Sequence, residues 1–547
     1  MRRLFFVLLV CTVLPCMAAS VTTADYNVVP LPNSVTMTGN EPFELTQSAT
    51  ISYPEGNVDM ERNARFLAKY VADATEMTLN VMPGKAKKGM RLVLDKKVKG
   101  DDGRWGEETL YDGDKKGITI AGSTPRGVFY GVQTLRKSLP VGNATRILMP
   151  AVEIKDCPRF GHRGMMLDCS RHFFPLSFVK RYIDLLALHN MNVFHWHLSD
   201  DQGWRIEIKK YPLLTTIGSK RTGTVIGFNT MLDDSIAYGG FYTQDEAREI
   251  VEYARQRYIT VVPEIDMPGH MVAALTAYPD LGCTGGPYQV GHRWGIYNDV
   301  LCLGNEKVYE FCEGVLDEIM QIFPSKLIHI GGDESPTVRW TNCPKCQKVA
   351  TEHNLKPETI QGYFTSRIEK FVNSRGRSII GWDEILAGNI DQSATIMSWR
   401  NTEYGRKAAE AGHDVIMSPT SHCYFDYNQA DEKNAKYEPT LCGGYLPVEK
   451  VYSFEPYAEG ISDEAKKHIL GVQANLWTEY IQYPNQAEYQ VLPRMAALCE
   501  VQWTAGKKDY KAFVERLTRL LNLYDAYNLN YARHLWPDRI VSPWADN

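Results

Sequence analysis

The feature that most constrains this chain is a rhythm that begins near residue 158. Eight short runs rich in aliphatic and aromatic residues recur at 164–169, 191–198, 258–266, 326–332, 378–385, 394–399, 414–419 and 470–477. Such runs, bounded by polar turns, read as strands buried on both faces, the mark of a parallel sheet covered by helices. The segments between them supply the helices. Phe178, Tyr182, Leu185, Leu186 and His189 share one face at helical spacing, and a second helix opens on Thr243 with Glu246 three residues later, a capping box. Eight strand–helix units predict an α/β fold of the (β/α)8 type, a TIM barrel with loop insertions, over residues 158–547. The helices of the sixth and seventh units are the least distinct. A doubly wound open sheet would want a Gly-rich phosphate turn after its first strand, and the sequence there is LDCSRHFFP.

What precedes the barrel has a different character. Residues 25–155 read as a small α/β support domain, with strand-like runs at 43–45, 91–94 and 117–120 and helical stretches near 60–74 and from about 125. The charged, Gly-rich segment between 96 and 117 suits exposed hairpins. Ahead of this, Arg2 and Arg3, an apolar run at 4–14 and small residues at 18–19 read as a secretory signal over 1–19. The run is too short to span a bilayer. The expectation is therefore an exported protein, periplasmic, at the cell surface or secreted. A lipid-modified Cys16 is the less favoured variant, Pro15 being an unusual neighbour for it.

Export would place ten of the twelve cysteines in an oxidising compartment. Cys283 and Cys302 flank a Gly-rich loop and are the candidate disulfide. Cys343 and Cys346 form a CxxC, but zinc needs four ligands and no second CxxC or HxxxH stands nearby, so a local disulfide or free thiols is the expectation there. A net charge of −5 offers no basic field for nucleic acid.

In a (β/α)8 barrel the chemistry sits at the C-terminal ends of the strands. Read in order, those ends carry Asp168, Arg171 and His172; His197, Asp200 and Asp201; Glu264, Asp266 and His270; Asp333 and Glu334; Trp382, Asp383 and Glu384; Trp399; Tyr424 and Asp426; Trp477 and Glu479. One such Asp is more often a cap or an ion-pair partner, and one such Trp is more often core. Eight strand ends that agree are harder to dismiss. Carboxylates among aromatic walls suit glycosidic bond cleavage, the acids handling protons and charge while the rings stack on sugar.

The string HIGGDE at 329–334 resembles the signature of family 20 glycoside hydrolases, the β-N-acetylhexosaminidases. HRGMMLDCSRHFFP (162–175), NVFHWHLSDDQGWRIEI (192–208), PEIDMPGH (263–270), GWDEIL (381–386), YFDY (424–427) and NLWTEY (475–480) agree in type and order. The N-terminal domain resembles the α/β domain that precedes such barrels, and Cys169 is a small departure where an aliphatic or small residue is expected. The resemblance implies a retaining exo-hydrolase acting on terminal β-linked GlcNAc or GalNAc of a glycan or oligosaccharide, with no metal and no organic cofactor. The nucleophile would be the substrate's own 2-acetamido oxygen. It further implies Glu334 as general acid/base, Asp333 as the acceptor for the acetamide N–H, and Tyr424 as the donor to the acetamide oxygen. Trp382, Trp399 and Trp477 would be the walls, Arg163 the grip on the 3- and 4-hydroxyls, and Asp426 and Glu479 acceptors for the outer hydroxyls. His270 would pair with Asp200 or Asp201 behind Glu334, the choice being open. Three alternatives remain: a barrel that binds amino sugars without cleaving them, a lacto-N-biosidase-like member that releases a disaccharide, and a glycosidase of plain glucosides with a carboxylate nucleophile.

Overall fold

A computed structural model describes residues 22–539 apart from 87, 99–108, 229, 432 and 434–437. The expected signal at 1–19 lies outside the described residues. Eight parallel strands close into a barrel: β1 (His162–Asp168), β2 (Val193–His197), β3 (Thr260–Glu264), β4 (Leu327–His329), β5 (Ser378–Trp382), β6 (Thr395–Ser398), β7 (Val415–Met417) and β8 (Ile469–Ala474). Pairing of β8 with β1 seals the ring, His162 lying beside Gly471 and Met165 beside Ala474. The seal needs its glycine. Gly471 has φ +155°, and a Cβ there would stand 1.9 Å from the His162 carbonyl oxygen.

The helices form where periodicity places them. Leu176–Leu188 buries Phe178, Tyr182, Leu185 and Leu186 and ends at His189. Gln244–Arg255 starts with the capping box: Thr243 Oγ1 accepts from the Glu246 N–H at 3.2 Å, and Glu246 Oε2 accepts from the Thr243 N–H at 2.8 Å. A cap of this kind stabilises a helix by about 0.5–2 kcal/mol. The sixth unit has the helix Thr402–Glu410, while the seventh strand leads first into the single turn Thr420–Cys423. Val262, Ile380, Trp382, Met397 and Ile416 cluster on their own inside the ring, apart from the larger core between strands and helices. Among the described residues no helix is long and apolar enough to cross a membrane.

The support domain is a seven-stranded mixed sheet with a three-stranded sheet beside it. Its helices, Val58–Thr75 and Pro125–Ser138, pack on the large sheet and also touch the barrel. Arg62 Nε donates to the Gln256 carbonyl at 3.0 Å, and Lys137 Nζ donates to Asn190 Oδ1 at 2.9 Å. These contacts fall at or near the N-terminal ends of β2 and β3, which leaves the C-terminal mouth free.

Candidate active site

The strand ends meet in a cavity of about 200 Å³ lined by Arg171, Asp333, Glu334, Trp382, Trp399, Thr420, Tyr424, Asp426, Tyr427, Trp477 and Glu479. Nine of the nineteen residues the sequence places at strand ends, counted from β1 to β8, thus line the cavity. How each is held follows from the local chain.

Asp333 and Glu334 sit on a turn that only glycine permits. Gly331 and Gly332 follow β4 with φ +69° and +100°. A Cβ on Gly331 would lie 1.7 Å from Asp266 Oδ1, and one on Gly332 would lie 2.6 Å from Ile385 Cγ2. The turn leaves the two carboxylates in different surroundings. The Asp333 side chain is 12% exposed and that of Glu334 is 37% exposed. Asp333 Oδ1 is buried with no hydrogen-bond partner among the described residues, so it keeps an acceptor unused by them. Glu334 itself has φ +45°, a strained conformation for a residue with a Cβ.

Behind this pair stands His270, with φ +52°. Its Nδ1 is 3.1 Å from Asp200 Oδ1 and 3.0 Å from Asp201 Oδ2, so both candidate partners hold it. Its Nε2 lies 3.7 Å from Asp333 Oδ2 and 3.6 Å from Glu334 Oε2. Burial would strip the ring of its proton, but the Asp200 charge and the hydrogen bonds to both aspartates outweigh burial and hold its pKa well above the ordinary value. An imidazolium therefore sits under both carboxylates.

Deeper still is Glu264, at the end of β3. One ring nitrogen of each of His195, His197 and His329 lies within 3.0 Å of its carboxylate, and the Trp382 indole N–H donates to it at 3.0 Å. Burial would raise its pKa, yet the surrounding imidazoles outweigh burial and keep it well below the carboxylate range. This buried hub fixes the Trp382 wall. The Trp399 wall is fixed likewise, its indole N–H donating to Glu384 Oε2 at 3.0 Å. Trp477 meets Trp382 with ring centroids 5.8 Å apart, and Tyr424 stacks near Trp399 at 6.2 Å. Tyr424 is placed by β8, through the Phe425 N–H donating to the Asn475 carbonyl and the Asn475 N–H donating to the Cys423 carbonyl, both at 2.8 Å.

Arg163 is a correction. Its guanidinium donates to the carbonyls of Phe160 and Asn190 and to the Tyr130 hydroxyl, each at 2.8 Å. It is the second residue of β1, five steps along the strand before Asp168, about 17 Å of rise. It clamps the barrel floor to the support domain and cannot reach a sugar at the mouth. The arginine in the cavity is Arg171. Asp168 Oδ1 accepts from the Arg171 backbone N–H at 3.1 Å, while the guanidinium lies 2.9 Å from Asp200 Oδ2 and 3.8 Å from Glu479 Oε1, over the Trp477 ring at 4.9 Å. Beside it, Asp426 Oδ2 accepts from the Cys442 thiol at 2.9 Å while its Oδ1 is buried with no partner among the described residues. Thr420 and Tyr427 also line the cavity and Cys442 holds Asp426, but nothing in their spacing singles them out beside Tyr424 and Asp426.

The candidate disulfide is also corrected. Cys283 and Cys302 are both free thiols, and each also has a sulfur of the CxxC beside it, Cys346 Sγ lying 3.8 Å from Cys283 Sγ and 3.7 Å from Cys302 Sγ.

The electrostatics give a pH expectation. Burial pushes the Asp333 carboxyl up to about 6, against the pull of His270. It is therefore ionised above pH 6 and neutral below. If its charge is needed, kcat/KM falls as pH drops through about 6, with a slope of one proton. A kcat/KM profile flat from pH 7 to pH 4.5 would rule that out.

Comparison with known proteins agrees with this geometry. Residues 160–506 match the catalytic domain of glycosyl hydrolase family 20, and residues 25–157 match domain 2 of the same family. A β-hexosaminidase of Porphyromonas gingivalis is 40% identical over 97% of this chain and 68% of its own. A β-N-acetylhexosaminidase of Cellulomonas fimi is 30% identical over 95% of this chain and 99% of its own. The solved exo-β-N-acetylglucosaminidase of Vibrio harveyi, in complex with N-acetylglucosamine, superposes with a TM-score of 0.82 at 31% identity, covering 94% of this chain and 79% of that one. With the barrel, the Asp333–Glu334 turn and the tryptophan-walled cavity in place, the chain belongs to glycosyl hydrolase family 20 and is a glycoside hydrolase.

Proposed function

We propose that the protein removes terminal β-linked N-acetylhexosamine from the non-reducing ends of glycans, using the substrate's own 2-acetamido group as nucleophile. The observation that carries this reading is the buried, unpartnered Oδ1 of Asp333 in a cavity shared with the Tyr424 phenol and three tryptophans. An acceptor, a donor and apolar walls are what an acetamide needs: an oxygen for its N–H, a hydroxyl for its carbonyl and a dry cage for its methyl.

The steps follow from the groups. Glu334, the more exposed acid, gives its proton to the glycosidic oxygen as the bond from that oxygen to the anomeric carbon breaks. The acetamide oxygen bonds to the anomeric carbon from the opposite face, forming a bicyclic oxazolinium. Asp333 accepts the N–H and neutralises the developing positive charge, and Tyr424 donates to the acetamide oxygen and holds it in line. Water then attacks the anomeric carbon from the side the leaving group vacated and loses a proton to Glu334, as the bond from the acetamide oxygen to the anomeric carbon breaks and the neutral acetamide is restored. Two inversions give net retention. Arg171, Asp426 and Glu479 are the polar groups left to bind the outer hydroxyls. A pocket closed at its floor by Trp382 and Trp477 suits a chain end, which makes the action exo.

The test is a pair of substrates: the p-nitrophenyl N-acetyl-β-glucosaminide and the plain p-nitrophenyl β-glucoside. Intramolecular delivery reaches effective molarities of about 10⁵–10⁸ M, so cleavage of the acetamido substrate alone is expected. Comparable turnover of the plain glucoside would overturn substrate assistance and require a carboxylate nucleophile.

A further inference from the structure

Four thiols from three separate segments converge beside the loops that follow β3 and β4. Cys283 comes just after the turn Pro279–Leu281, and Cys302 follows Leu301, which bridges back to Gly282. Cys343 caps the helix Pro344–Glu352, and Cys346 lies in its first turn. Cys302, Cys343 and Cys346 are buried and Cys283 is half-buried.

The spacing of the sulfurs is specific. Cys283 Sγ is 3.8 Å from Cys346 Sγ, and Cys302 Sγ is 3.7 Å from both Cys343 Sγ and Cys346 Sγ. All four sulfurs lie within 4.8 Å of one another. A zinc ion with four thiolates at about 2.3 Å has sulfurs about 3.8 Å apart along the edges of its tetrahedron. Disulfide pairing would single out one partner for each sulfur, whereas Cys302 has two at the same distance. We propose that Cys283, Cys302, Cys343 and Cys346 hold a zinc ion as a closed tetrathiolate site.

The surrounding chain is built for a charged cluster. The backbone at Gly304 runs against the CxxC turn so closely that a Cβ there would lie 2.2 Å from the Lys345 carbonyl carbon and 2.5 Å from the Cys346 nitrogen. The helix Pro344–Glu352 presents its N-terminus to the sulfurs, where the helix dipole favours thiolate over thiol. Four protein ligands leave no open position, so the ion has a structural role.

What it positions is legible. The excursion between Cys283 and Cys302 reaches the active site from behind: the Gly291 N–H donates to the Asp201 carbonyl at 2.8 Å, and the Leu301 N–H donates to the Pro268 carbonyl at 3.1 Å. Asp201 holds His270. The CxxC closes the segment that leaves the Asp333–Glu334 turn through the helix Val338–Asn342, and the Trp340 indole N–H donates to the Leu301 carbonyl at 2.9 Å. The ion ties the His270 loop to the carboxylate loop, and its four ligands are positioning residues.

The test is elemental analysis of the full chain, purified without chelator or reductant, with thiol counting by alkylation after denaturation in chelator. One equivalent of zinc per chain, released by a thiol-directed mercurial, and four alkylatable thiols at these positions are expected. Reconstitution with cobalt(II) should give the intense visible ligand-field bands of a tetrahedral thiolate. Cys346→Ser should lose the metal, while Cys499→Ser, at a buried lone thiol, should keep it. Should Cys346→Ser fail to fold, the wild-type metal content and thiol count still decide. Metal-free folded protein, or two disulfides among the four, would overturn the proposal.

Discussion

Glu334→Gln is expected to lower kcat/KM on an unactivated β-linked N-acetylhexosaminide by about 10²–10⁴-fold, the usual scale of general acid–base catalysis. The size should depend on the leaving group. An alkoxide departing from a glycan cannot leave without a proton, and the glutamine has none to give. A dinitrophenolate leaves unaided, so kcat/KM for that substrate, which reports the first step, should stay near wild type. Its kcat should still fall, because the second step needs the same carboxylate to take a proton from water. The intermediate would then accumulate, visible as a burst of phenolate. The fold should be untouched: the side chain is 37% exposed and reaches no closer than 3.6 Å to His270. Rates lowered by one factor for every leaving group would show that Glu334 is not the acid.

The barrel was readable because both-face burial leaves an unmistakable signature, and all eight runs became strands. Their ends were less readable, for a physical reason. The run at 326–332 shortens to Leu327–His329 and the run at 378–385 to Ser378–Trp382. Gly331, Gly332, Asp383 and Glu384 leave the ladder because the site is made where the strands stop pairing. The same rule explains Arg163 and Arg171. Both lie in one matching string, but only the residue beyond the C-terminal end of β1 can face the mouth, and the strand's direction alone would have chosen it. The choice between Asp200 and Asp201 was not legible, since it rests on a shared hydrogen atom: one His270 nitrogen lies within 3.1 Å of both. Nor was the thiol cluster. Its four members spread over 64 positions, from 283 to 346, and the Gly282–Leu301 bridge, the Trp340–Leu301 hydrogen bond and the approach of Gly304 to the CxxC bring them together. Glu264 and His197 were legible as strand-end residues, but the hub was not, because His195 and His329 reach Glu264 from the two neighbouring strands and no spacing along the chain shows that meeting.

Asp333→Asn should cost nearly as much as the loss of Glu334, by a different route. The asparagine keeps the size and an oxygen that can accept from the acetamide N–H, but it carries no charge to oppose the oxazolinium. Removing one preorganised electrostatic contact costs about 10²–10³-fold in kcat, and here the contact is buried, where screening by water is least. KM should move little, since the neutral substrate gains little from the carboxylate's charge. A stable thiazoline analogue of the bicyclic intermediate should lose affinity by a similar factor once protonated, since it shares the charge that develops in the transition state. The acid limb near pH 6 should lose the contribution of Asp333, because burial places its carboxyl at about 6 and asparagine has no proton to take up; what remains of the limb belongs to Asp426, which burial also raises to about 6, and to Glu479, raised to about 7. The plain glucoside serves as the control, as its slow background cleavage has no acetamide for Asp333 to steer. An Asp333→Asn enzyme with unchanged kcat, unchanged thiazoline affinity and an intact acid limb would remove this residue from the mechanism and leave the nucleophile unidentified.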